Sequence, residues 1–69
     1  MEQFKLDGDD FIELNKLLKI LSWVNSGGDA KRVIDEGLVK VNGEVETRRR
    51  KKLRKDDEVM FGEEEVKVI

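Results

Sequence analysis

Cysteine, histidine, proline and tyrosine are all absent from this 69-residue chain, and each absence removes a class of explanation. Without cysteine no disulfide framework staples the fold, and without cysteine or histidine the usual zinc ligand sets are excluded. Stability must therefore come from ordinary packing. The same gaps reduce the available nucleophiles and bases to Ser, Thr, Lys and carboxylates, so neither catalysis nor a cofactor is expected. No stretch approaches the ~18 apolar residues of a transmembrane helix, so no membrane partner is expected. The opening "MEQFKLDGDD" is acidic and carries no apolar run, which argues against a signal peptide and for a cytoplasmic protein. With no repeat and no linker composition, residues 1–69 read as a single domain.

What is abundant is charge. Charged residues make up 43% of the chain, well above the roughly 25% typical of globular domains. The 38% that is apolar is nevertheless periodic, and that favours a folded core beneath a charged surface over disorder. A domain of this size buries only about 60% of its unfolded surface, so the fold must be simple.

The net charge of −2 conceals a strong asymmetry. Residues 1–47 hold six basic and ten acidic side chains, a net of −4. Arg48 to Lys55, within "ETRRRKKLRK", holds seven basic and no acidic ones, a net of +7. Residues 56–69 hold one lysine and six acids, a net of −5. Charges further apart than about 8 Å are largely screened at physiological salt, so the basic run acts as a local patch unless acids fold directly onto it.

In "FIELNKLLKILSWV", Leu14, Leu17, Leu18 and Leu21 recur at helical spacing and define one apolar face. Two helix starts are open. Asp10 and Glu13 can form a capping box that begins the helix at Phe11, or the helix begins near Leu14 with Phe11 and Ile12 extended. "SGGDAKRVIDEG" reads as a second helix, with Ser26 as N-cap, Asp29 in the first turn, and Ala30, Val33 and Ile34 as the buried stripe. Gly37 suits the left-handed residue after the helix, placing the end near Glu36. "LVKVNGEVE" reads as a hairpin about Asn42-Gly43. A strict two-residue turn would set Lys40 opposite Val45 on one face, so a bulge or longer loop is expected to return Val45 to the core. Two further strands are expected at Glu58–Phe61 and Val66–Ile69, with another at "FKL". The sum is a small α+β domain.

Anion binding has two sources in the residues themselves. Arg48, Arg49, Arg50, Lys51 and Lys52 offer guanidinium forks and ammonium charges that match phosphate oxygens. At Ser26, Gly27 and Gly28 the second helix opens with free amides, the positive end of its dipole, and no side chain to keep a phosphate away; Lys31 follows within a turn. The carboxylate clusters "DGDD" and "EEE" read as solvated turn residues, since neither matches an EF-hand loop. Trp23, alone after an amphipathic helix, reads as core.

Taken together, "SGGDAKRVIDEGLVKVNGEVETRRRKKL" resembles the S4-type RNA-binding domain, in which two helices lead through a G-x-V-x-V-N-G turn into a small sheet. Gly37, Val39, Val41, Asn42 and Gly43 carry that signature here. A subset of short stand-alone bacterial S4-like proteins is closer still, sharing the motifs at Ser26–Lys31 and Glu46–Leu53. The resemblance spans roughly Ile12 to Phe61 and implies the αL fold, with two helices packed on a small, mainly antiparallel sheet. It also implies a non-catalytic RNA-binding role, with structured RNA such as ribosomal RNA as ligand. Contacts would fall on Ser26, Gly27, Gly28, Lys31 and Arg48 to Lys52. Many S4 domains carry arginine near the start of the second helix, where this chain has Asn25 and Gly27, so the backbone amides of Gly27 and Gly28 are expected to substitute. Leu53 is expected to turn inward as the loop anchor, with Arg54 and Lys55 as lesser contributors. Ribosomal proteins are possible partners, a monomer is expected, and the alternative role is a module binding an acidic surface on a ribosomal or assembly protein.

Overall fold

The computed structural model describes residues 2–69. In chain order they form β1 (Glu2–Phe4), β2 (Ile12–Glu13), α1 (Leu14–Ile20), α2 (Gly27–Asp35), β3 (Val39–Val41), β4 (Glu44–Val45), β5 (Lys52–Leu53), β6 (Glu58–Phe61) and β7 (Glu64–Val68). Five strands make one sheet in the order β1-β7-β6-β3-β4, antiparallel except for the parallel pairing of β1 with β7. The other two, β2 and β5, form a separate antiparallel ladder. The fold is thus α+β, with two helices on a mainly antiparallel sheet.

One core joins these layers. Leu14, Leu17 and Leu18 from α1 meet Ala30, Val33 and Ile34 from α2 against Val39, Val41, Val59, Val66 and Val68 of the sheet. The alternation of valines with polar residues along β3, β6 and β7 is what gives the sheet one dry face. Leu21, the last position of the expected apolar stripe, is only half-buried because α1 has already ended. Trp23 is half-buried against the same cluster.

Of the two possible starts for α1, the structure takes the later one. Glu13 is the N-cap with no side-chain cap, and Ile12–Glu13 is extended. The capping box loses because Ile12 and Glu13 are drawn into pairing with Leu53 and Lys52, which needs extended backbone. At its other end α1 stops in a left-handed residue, Ser22 (φ 60°), with Ser22 N–H donating to Lys19 O and Trp23 N–H to Leu18 O. Such a stop is usually made by glycine, so nothing in the composition marks it.

α2 follows its sequence signals closely. Ser26 Oγ accepts from Asp29 N–H at 3.2 Å, and Gly37 (φ +76°) closes the helix with Gly37 N–H to Ile34 O and Leu38 N–H to Val33 O. This Schellman closure satisfies carbonyls that the helix end would otherwise leave open.

The hairpin departs from expectation. Asn42 (φ 52°) and Gly43 (φ +85°) form a strict two-residue turn with both central residues left-handed, and Lys40 lies opposite Val45. Turn geometry sets the register, and side chains alternate, so Val45 is carried to the solvent face, where it is 54% exposed. No bulge returns it to the core. Its Cγ1 instead rests over the backbone at Gly37, 3.6 Å from where a Cβ there would sit.

Candidate nucleic-acid interface

The basic run is held by its backbone. Leu14 N–H donates to Lys51 O at 2.9 Å and Asn15 N–H to Arg49 O at 3.0 Å, so loop carbonyls cap the open amides of α1. Lys51 N–H closes a turn onto Arg48 O, and β5 then pairs with β2. Leu53 is fully buried, as the family resemblance implied. Removing such a side chain from water is worth about 1.5–3 kcal/mol, enough to anchor a short loop to a small core.

The hairpin turn supports the far end of the same loop. Asn42 Nδ2 donates to Asp57 Oδ1 at 3.0 Å, and Asn42 Oδ1 accepts from Glu58 N–H at 2.9 Å. The second Asp57 oxygen accepts from Arg54 N–H at 2.8 Å. Asn42 and Asp57 thereby relay the position of the turn to the backbone of the basic segment.

Side chains within the run divide into three groups. Arg48 forks onto Glu46, Nε to Oε2 at 2.9 Å and a terminal nitrogen to Oε1 at 3.0 Å, while Arg48 N–H donates to Oε2. Glu46 is 12% exposed, and the hydrogen-bonded Arg48 guanidinium, with help from Lys51, lowers its pKa to about 2. Arg48 is pushed up in turn by the same pairing. Lys51 is half-buried beside this pair. Lys52 and Arg54 lie over the Phe11 ring, at 4.9 and 5.6 Å from its centroid, a cation–π arrangement that occupies both groups. Arg54 and Lys55 also share a hollow with Asp9 and Asp10. Arg49 and Arg50 are exposed and, among the described residues, form no ion pair.

Ser26, Gly27, Gly28 and Lys31 sit together at the start of α2, and all four are exposed. Neither glycine has positive φ, so backbone conformation does not demand glycine at either place. A Cβ at Gly27 would lie 3.9 Å from Lys19 Nζ, and one at Gly28 3.7 Å from Ser26 Oγ, both ordinary contacts. What the two glycines do is leave the amide end of α2 uncovered.

Two residues outside the sequence-derived set complete this surface. Asn15 touches the loop at Arg49, and Lys19 reaches the start of α2 at Gly27. They are four apart on α1, hence one turn and about 6 Å along the same face. α1 therefore bridges the two candidate anion-binding regions, running from Arg49 through Asn15 and Lys19 to Gly27 and on to Lys31. Lys19 was visible in the sequence only as a polar-face lysine, and no spacing rule links it to Gly27. That proximity arises from helix packing.

The two helices on a mainly antiparallel sheet make a small α+β domain of αL type, with cationic side chains along its helical side. The chain belongs to the S4 domain family, which matches residues 4–69, a longer span than the motifs alone. YbcJ from Escherichia coli (strain K12) is 44% identical over 69 residues, covering 100% of this chain and 99% of YbcJ. YbcJ from Shigella flexneri matches to the same extent. The solution structure of E. coli YbcJ, described as revealing an αL motif involved in RNA-binding, agrees with a TM-score of 0.75 at 43% identity. That comparison covers 100% of this chain and 87% of the YbcJ chain. Among the described residues no helix is long and apolar enough to cross a membrane, and no group of His, Cys, Asp or Glu is arranged to hold a metal.

Proposed function

We propose that the protein is a non-catalytic RNA-binding module that docks on structured RNA, with ribosomal RNA the favoured class. The observation that carries this is the pair Arg49 and Arg50, exposed and without a protein counter-ion among the described residues, on a loop whose backbone is tied to α1. A loop backbone held in place aims these side chains, and their planar guanidinium groups offer bidentate donors to phosphate. Lys19, Lys31 and the amides of Gly27 and Gly28 continue the contact, while Ser26 holds the helix start in place. Within the run, Arg48 and Lys52 contribute field more than direct contact, because Glu46 and Phe11 already engage them. Lys51 adds charge from a half-buried position. The αL motif of the related YbcJ, described as involved in RNA-binding, supports the same assignment. Deep, narrow A-form major grooves exclude side chains, so recognition is by shape and backbone rather than by base sequence.

Four exposed cations, Arg49, Arg50, Lys19 and Lys31, set the salt dependence. If each meets one phosphate, log affinity falls against log salt with a slope of about −3. Reversal of Arg49, Arg50 and Lys51 to Glu abolishes binding at physiological salt in a gel-shift or anisotropy assay. Unchanged affinity in that variant, or a slope near zero for the parent, sinks the proposal. If cell extracts treated with nuclease leave the protein sedimenting with its partner, an acidic protein surface is the ligand instead.

A further inference from the structure

Asn15, Arg49 and Arg50 line an open notch of about 340 Å³ between α1 and the basic loop. Its three side chains all offer donors. Asn15 Oδ1 already accepts from Lys16 N–H at 2.9 Å, which leaves its Nδ2 as the free end of the carboxamide. Both guanidinium groups carry donors only. The backbone amides at the start of α1 take no part, because Arg49 O and Lys51 O consume those of Asn15 and Leu14. Three side chains of donor character, on two elements locked together by those bonds, surround one space. A backbone phosphate presents two charged non-bridging oxygens set tetrahedrally, whose lone pairs can take donors from three directions. The notch is open to solvent, so one phosphate group enters with some hydration retained.

We propose that this notch seats one backbone phosphate of the bound RNA and that Asn15 is a contact residue there, its Nδ2 donating to a phosphate oxygen. The inference rests on the RNA-binding reading and adds to it a defined register point. A phosphate fixed between α1 and the loop sets where the strand crosses, so that the next phosphates fall along Lys19 toward Gly27.

The test uses the whole protein, a short RNA stem-loop and, separately, inorganic phosphate. Asn15→Ala removes the donor and Asn15→Asp replaces it with a repelling acceptor. Neither is expected to unfold the chain, since Ala favours helix and an acid suits the first turn. Gln3→Glu on β1, across the sheet register from Lys67, makes the same charge change on a different element. Loss of one hydrogen bond to a charged group predicts about tenfold weaker RNA binding for Asn15→Ala and more for Asn15→Asp. Gln3→Glu should change affinity by less than about twofold, given screening. In parallel, the Asn15 side-chain amide resonances should shift when RNA is added, and with inorganic phosphate only at far higher concentration. Wild-type RNA binding with unmoved Asn15 resonances, or with full affinity in Asn15→Asp, overturns the inference and leaves the RNA reading intact. If the wild type binds no RNA, the RNA reading fails and this inference with it. A response of Asn15 to inorganic phosphate but not to RNA makes the notch a free-phosphate site and likewise overturns it.

Discussion

Replacing Asn42 tests how the turn and the basic loop are coupled, because two variants separate its backbone role from its side-chain role. Asn42 sits at φ 52°, where a Cβ crowds the backbone and Asn is tolerated better than Ala. Its side chain makes two hydrogen bonds, to Asp57 and from Glu58, both at a solvent-exposed position. Net contributions of about 0.5 kcal/mol each are reasonable at such a site, giving about 1 kcal/mol for the pair. Asn42→Gly removes those bonds and relieves the backbone, so it should cost about 1 kcal/mol. Asn42→Ala removes the same bonds and adds the left-handed penalty of about 1 kcal/mol, so it should cost about 2 kcal/mol. Urea unfolding followed by Trp23 fluorescence measures both on one scale. In a domain of this size a 1 kcal/mol loss lowers the melting temperature by roughly 4–8 °C, so thermal scans resolve the difference as well. Amide exchange at Arg54 should rise in both variants, because Asp57 then loses the partner that holds it toward that N–H. Equal costs for Gly and Ala would refute the backbone argument, and unchanged exchange at Arg54 would refute the relay through Asp57.

Two further predictions follow from the same geometry. Gly28→Ala should raise stability by up to about 1 kcal/mol, since neither φ nor space forbids a methyl group there. It should at the same time weaken RNA binding by covering the α2 amides, so a variant that gains stability with full affinity removes those amides from the interface. Glu46 has a folded pKa of about 2 against an ordinary 4.5, so its contribution is present above pH 4.5 and drains as pH falls toward 2. Glu46→Gln should flatten that acid limb of the stability profile, and retention of the full limb in the variant would assign it to other carboxylates.

How much was legible in the sequence differs by element. Local chemistry wrote α2 plainly: the Ser26 cap, the Ala30–Val33–Ile34 stripe and the Gly37 closure all act within a few residues of one another. The place of the turn at Asn42-Gly43 was equally plain, but its length was not, since a bulge or longer loop was expected where a strict two-residue turn is found; the burial of Leu53 was expected from the family resemblance. Where long-range pairing competes with local preference, local rules fail. The Asp10–Glu13 capping box was a sound local option, yet partners far along the chain are not visible to it; pairing with Leu53 and Lys52 pulled Ile12 and Glu13 into extended backbone. Val45 was expected inside because it is apolar, but hairpin register outweighed one side chain's burial.

The candidate site divides along the same line. Its charge was readable, because seven cations in eight positions and a bare helix start are properties of the chain itself. Which cations face outward was not. Glu46 takes Arg48 from two residues away, while Phe11 takes Lys52 and Arg54 from the far side of the chain once the loop is folded against β2 and α1. Nor could the sequence place Asn15 and Lys19 between the loop and α2. The sequence by itself determined the α+β class, the second helix, the turn and the presence of a basic patch, all set by short-range sterics, capping and composition. Only the tertiary structure decided how the rest of that patch is held, because the Phe11 ring under Lys52 and Arg54 and the α1 amides that tie down the loop are distant in the chain and adjacent only in the fold.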